Sequence, residues 1–170
     1  MRYATTPERS RIMAAIRRSG TDPEMELRRQ LAVIGLRPGH LAARLPGSPD
    51  IVFSRQHIAV FVDGCFWHGC REHRSIPKSN RELWLQKITG NRRRDRRVDR
   101  QLRASGWCPM RVWEHDIGRD VGPAALRVAA AVFDRSSVRP IPWPRDHTFA
   151  PTAHHGARTT TRTTRARAGS

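Results

Sequence analysis

Apolar positions along the chain recur with two different periods, and the changes from one to the other predict the order of elements. Leu27, Leu31 and Ile34 fall at i, i+4 and i+7, one stripe of a helix that opens at Asp22 and Pro23 and stops at Gly35. Glu24, three residues before Leu27, shares that inward stripe, whereas Glu26 does not. Thr6 and Pro7 open an earlier helix in the same way, closed by Gly20. "LPGSPD" is a Pro/Gly loop that delivers Asp50 to a strand, "IVFS". After Arg55 and Gln56 a second strand follows, "HIAVFVD", rich in β-branched and aromatic residues. The two strands predict a hairpin with Asp50 and Asp63 at the same end.

Further along, Ser79 and Glu82 have the spacing of a capping box for a helix carrying Leu83, Trp84 and Ile88. Gly90 and Asn91 are expected to bend or interrupt it before a very basic helix, "RRRDRRVDRQLRAS", that stops at Gly106. "CPMRVWEH" reads as a strand whose Pro109 confines it to an edge or a bulge. Asp120 and Pro123 open a last apolar helix, "AALRVAAAVF". Beyond about residue 135 aliphatic residues give way to Pro, Thr and Arg. Residues 1–134 are therefore read as one domain and 135–170 as a disordered basic tail. Alternating helices and strands in this order predict an α/β sandwich, a small mixed sheet flanked by helices.

Composition narrows the function. No apolar run approaches the roughly 20 residues of a spanning helix, and "MRYATTPERSRIM" lacks a signal core, so a cytoplasmic protein without membrane contact is expected. Three Cys in such a chain argue for metal or free thiols, not a disulfide framework. Thirty-two Lys and Arg against 15 Asp and Glu give a net charge of +17, a field that attracts polyanions, nucleic acid above all. Residues 71–103 hold twelve Lys or Arg and four Asp or Glu, so the excess is partly inside the domain.

"GCFWHGCREH", residues 64–73, carries the densest chemistry. Cys65, Cys70 and His73 are spaced to fold a loop around one tetrahedral ion, with His115 or Cys108 as the fourth ligand. Thiolate and imidazole donors in a closed site suit Zn²⁺; the alternative is two buried thiols and a surface His. His68, between the thiols, either projects away from them as a proton acceptor or is itself a ligand. "PD" at 49–50 with an acid at Asp63 and an inward Glu24 suits Mg²⁺ beside a scissile phosphodiester. Phe66 and Trp67, in a polar loop with basic neighbours, either face DNA or plug the core.

"RSRIMAAIR", "LPGSPDIVF", "FVDGCFWHGC", "IPKSN", "LWLQKI", "NRRRD" and "GW-x5-WEH" occur in this order. Together they resemble the very-short-patch-repair endonucleases, zinc-containing DNA mismatch nickases of the restriction-endonuclease-like fold. The resemblance covers about residues 8 to 116. It implies incision of the T strand, 5′ to the T, in T:G mismatches left by deamination of 5-methylcytosine. It implies Asp50 and the Val62 backbone carbonyl as Mg²⁺ ligands, His68 as base, and Glu24 as an acid that orients water. The structural zinc set becomes Cys65, Cys70, His73 and His115. Phe66, Trp67 and Trp84 match aromatics that enter the duplex, and Met13 matches a residue wedging in from the other groove. Asp63 departs from the pattern, since many members carry His there; its place at the hairpin end suggests that it joins Asp50 at the metal, directly or through water. His115 stands where a thiolate is familiar, and "HGCREH" shifts the middle zinc ligands. A nucleoid-associated monomer is expected, with mismatched DNA as partner and mismatch-repair proteins as further candidates. The alternative is a zinc-stabilised DNA-binding module without cleavage, a degenerate nuclease.

Overall fold

A computed structural model describes residues 20–39, 45–73 and 76–136. The earliest expected helix with Met13, and residues 137–170, lie outside them. The described elements are α1 (Asp22–Val33), β1 (Ile51–Phe53), β2 (Ile58–Asp63), α2 (Cys65–His68), α3 (Arg81–Ala104), β3 (Cys108–Trp113), α4 (Glu114–Arg119) and α5 (Val121–Ser136). The strands form a mixed sheet in the order β1-β2-β3. β1 runs antiparallel to β2, with Ile51 opposite Val60. β3 lies parallel to β2, with Phe61 beside Arg111 and Asp63 beside Trp113. A parallel pair needs a long crossover, which α2 and α3 supply.

Helices cover both faces of this sheet, so β2 is apolar almost without alternation. On one face Ile51, Ile58, Val60 and Val112 pack with Leu27 and Leu31 of α1, Ile117 of α4, and Val128 and Val132 of α5. On the other, Val52, Ala59 and Phe61 meet Val98 and Leu102 of α3, with Trp107. The strand period of two places Asp50 with Val52, and Asp63 with Phe61, on the α3 side. Gly47 lets the preceding loop lie against α3: its φ is +78°, and a Cβ there would stand 2.6 Å from a Val98 methyl.

Six local expectations are corrected. α3 is one 24-residue helix that runs through Gly90 and Asn91. One glycine costs a helix only about 1 kcal/mol, and Ile88, Val98 and Leu102 anchor this one on both sides of it. Its N-cap is Asn80, in the left-handed conformation that Asn tolerates, and not Ser79. β3 ends at Trp113, so Glu114 and His115 begin a helix instead of closing a strand. Ile34 is the C-cap of α1 and 36% exposed, because the helix ends before the stripe reaches it. The Cys/His loop contains a helical turn, α2. α5 extends to Ser136, two residues into the segment read as tail.

Candidate active site and metal cluster

The α3 face of the sheet opens into a cleft lined by Glu24, Asp50, Asp63, His68, Trp67 and Arg111, with Lys87, Asn91, Arg94 and Asp95 from α3. Asp50 is fixed by the hairpin: its N–H donates to Val60 O at 2.9 Å, and its Oδ2 accepts from Val62 N–H at 2.7 Å. Arg28 donates to its backbone carbonyl. Burial pushes the Asp50 carboxyl up to about 6; the Val62 hydrogen bond opposes this, Glu24 and Asp63 reinforce it, and Arg28 opposes it. Such a group gains from a cation. Glu24 is buried at the start of α1, where Oε2 accepts from Gly20 N–H at 2.7 Å and Oε1 from the Thr21 hydroxyl at 2.9 Å. The acid predicted to point inward does so, and it is tied to the two residues that precede its helix.

His68 is turned toward α3. Its Nδ1 lies 2.7 Å from Asp95 Oδ2 and 3.5 Å from Asp63 Oδ1. Arg111 completes the group, with Nη1 at 2.8 and 3.0 Å from the two Asp63 oxygens. Its Nη2 stands 3.2 Å from Asp99 and 3.5 Å from Asp95. Burial raises the Asp63 carboxyl, and His68 and then Arg111 oppose the rise. The sequence, where Asp95 belongs to one of the motifs of the resemblance, assigned no role to Asp95, Asp99 or Arg111. The available signal was that Asp95 and Asp99 are the only acids between residues 92 and 103, four apart on one face.

The Cys/His residues gather on the far side of α2. One ligand atom from each of Cys65, Cys70, His73 and His115 lies within 4.8 Å of the other three. The His115 Nδ1 is 3.0 Å from Cys65 Sγ and 3.6 Å from Cys70 Sγ, and the His73 Nδ1 is 3.9 and 3.8 Å from them. A tetrahedron built with zinc–sulfur and zinc–nitrogen bond lengths has edges of roughly 3.3–3.8 Å, so the donors fit such an ion. Burial and the adjacent Cys70 push the Cys65 thiol up to about 12, against a His115 hydrogen bond, so a thiolate there needs a cation. Cys108, the other candidate, is not in the group. Gly69 ends α2 with φ +66°, and a Cβ there would meet Ile88 at 2.8 Å, so glycine lets the loop reverse. Glu114 Oε1 accepts from Cys65 N–H at 2.6 Å, and His115 Nε2 faces Asp116 at 3.3 Å. One turn of helix therefore sends Cys65 to the cluster and His68 to the cleft.

The aromatics form a ridge at the rim. Phe66 meets Trp67 at 5.0 Å and Trp84 at 5.2 Å, both edge-on, and all three are half-buried. Lys87 Nζ lies 5.4 Å from the Trp84 ring. Asn91 Nδ2 donates to the Trp67 carbonyl at 2.9 Å. Met13 lies outside the described residues.

Residues 2–74 match the family described as DNA mismatch endonuclease Vsr. The chain is 43% identical over 123 residues to the Type II nicking enzyme V.NaeI of Lentzea aerocolonigenes, covering 69% of this chain and 74% of that protein. It is 37% identical over 136 residues to the Type II nicking enzyme V.NmeDIP of Neisseria meningitidis serogroup C, covering 78% and 92%. It is 38% identical over 107 residues to the DNA mismatch endonuclease Vsr of Escherichia coli (strain K12), covering 62% and 69%.

Proposed function

The chain belongs to the DNA mismatch endonuclease Vsr family and is a DNA endonuclease of that type; from this we propose that it nicks the T strand of a T:G mismatch, 5′ to the T, and so initiates very short patch repair. The T:G pair is the product of 5-methylcytosine deamination. The observation that carries this reading is the convergence of Asp50, Glu24 and His68 on one cleft with Trp67 at its edge. Binding alone does not need two acids held where a phosphate would approach.

In this reading Asp50 and the Val62 carbonyl would hold a Mg²⁺ ion, which would supply positive charge beside the scissile phosphate and an activated water. Asp63, whose oxygens already accept from Arg111, contributes through water. Glu24 orients the attacking water, and His68 accepts its proton while Asp95 fixes the imidazole ring. Cys65, Cys70, His73 and His115 would hold a structural Zn²⁺ tying α2 to α4, apart from the hydrolytic residues. Phe66, Trp67 and Trp84 enter the duplex beside the mismatch, and Met13 enters from the other groove. We read the small mixed sheet flanked by helices as a restriction-endonuclease-like core.

The test is strand-resolved cleavage of T:G, U:G and C:G duplexes with Mg²⁺ or with EDTA. A Mg²⁺-dependent single cut in the T strand of the T:G duplex is expected. Binding without cutting would leave a DNA-binding module, and cutting both strands of the matched duplex would make the protein a restriction enzyme.

A further inference from the structure

The acids of the cleft differ in what answers their charge. The carboxylate oxygens of Asp50 and Glu24 accept from neutral donors: Val62 N–H, Gly20 N–H and the Thr21 hydroxyl. Asp63, Asp95 and Asp99 instead share one guanidinium. Arg111 Nη1 reaches both oxygens of Asp63, at 2.8 and 3.0 Å, and Nη2 lies 3.2 Å from Asp99 and 3.5 Å from Asp95. The Arg111 side chain is 23% exposed, and its guanidinium lies over the Phe61 ring at 4.9 Å. It cannot lose its charge, and its planar fork suits several carboxylates at once. His68 borders this half of the cleft, with Nδ1 2.7 Å from Asp95 and 3.5 Å from Asp63.

Resting on the assignment of Asp50 as a metal ligand, we infer that Arg111 is a fixed cation that takes the place of a second metal ion. The cleft accordingly takes one divalent cation, on the Asp50 side, and Arg111 positions Asp63 and Asp95 against His68. In two-metal sites the ions stand about 3.5–4 Å apart and share carboxylates. Here a second ion at Asp63 would have to displace a mostly buried ion pair, which is costly to break. It would also stand beside a guanidinium that has no way to discharge. Arg111 meets the acids and the Phe61 ring and is assigned no contact with the reacting atoms, so it is a positioning residue.

The experiment is a Mn²⁺ titration of the full-length, zinc-loaded protein without DNA, with free Mn²⁺ followed by electron paramagnetic resonance. The wild type is expected to bind one Mn²⁺ per chain, Asp50→Asn none, and Arg111→Met a second Mn²⁺ as Asp63 is released. Arg111→Lys, which keeps a cation at the site and the better prospect of folding, should stay at one. Its single-turnover nicking rate should fall at least tenfold with duplex Kd unchanged, since an ammonium cannot bridge Asp63 and Asp95 together. Two Mn²⁺ in the wild type, or one in both the wild type and a folded Arg111→Met, would overturn the role of Arg111 and leave Asp50 intact. A single Mn²⁺ that survives Asp50→Asn would instead overturn the metal assignment beneath it.

Discussion

His68 Nδ1 and Asp95 Oδ2 lie 2.7 Å apart, joining the one-turn helix of the metal loop to the middle of the long basic helix. A carboxylate at that distance fixes the ring and presents Nε2 to the cleft. Asp95→Asn keeps the shape but accepts or donates with the wrong group. Single-turnover nicking should fall by roughly 10²-fold, the scale of one general-base contribution, while zinc content and duplex Kd stay as in the wild type. An unaltered rate would remove Asp95 from the mechanism.

Asp50 makes stability and metal affinity depend on pH. Its carboxyl is raised from 3.8 to about 6, chiefly by burial, so the protonated form favours folding. That contribution is fully present below the unfolded value and is lost as pH rises through about 6. Two pKa units correspond to about 3 kcal/mol; partial exposure reduces this to roughly 1–2 kcal/mol. In Mg²⁺-free, zinc-loaded protein, Asp50→Asn should therefore melt higher than the wild type at pH 8 and nearly with it at pH 5, while nicking is abolished. Mg²⁺ should raise the wild-type Tm more at pH 8 than at pH 5, because protons compete for the carboxylate. Equal gains at both pH values would refute this linkage.

The Cys/His cluster joins α2 to the start of α4, elements separated by the whole crossover, so losing one donor should weaken the fold as well as the metal. Cys70→Ala and His115→Ala should each lower both zinc content and Tm, and Cys108→Ala should change neither. Metal analysis and thermal melts on the same preparations decide it. Zinc loss in Cys108→Ala with retention in His115→Ala would reverse the choice of fourth ligand.

How far the sequence could reach depended on the distance between the residues involved. Asp50 and Asp63 belong to one hairpin, where strand period and a short turn bring both to the same end, and the structure has them there. Glu24 was placed by helical phase from Leu27 and Leu31, only a turn or two away. The roles of Arg111 and Asp95 were not legible, because Asp95 lies in a run of charges whose phase on α3 was unknown and the partners of Arg111 depend on the register of β3. The phase was lost at Gly90, where a break was expected and none occurs. Spacing alone left His115 and Cys108 both open, and only the resemblance chose His115; Cys108 begins β3 and lies outside the cluster, whereas His115 follows the end of that strand.

The aromatic ridge sets two roles of Trp67 against each other. Its ring packs edge-on against Phe66 at 5.0 Å and within 6.2 Å of Trp84, which is how a plug between α2 and α3 would look. A core Trp, however, is fully enclosed, and truncating one costs about 3–5 kcal/mol. Trp67 is half-buried, it lines the cleft, and its backbone carbonyl is already held by Asn91. Removing the ring therefore leaves the loop tied, and Trp67→Ala should cost less than about 2 kcal/mol with zinc retained. Stacking an exposed base on such a ring is worth about 1–3 kcal/mol, and a distorted T:G pair is cheaper to open than C:G. The preference for T:G over C:G duplex should consequently fall by roughly 10- to 100-fold in competition binding, and weak C:G binding should persist through the basic helix. Asn91→Ala, which cuts the tie but keeps the ring, should lose less preference and more thermal stability. Trp67→Ala that unfolds would make the ring core; Trp67→Ala that folds and still prefers T:G would move discrimination to Phe66 or Trp84.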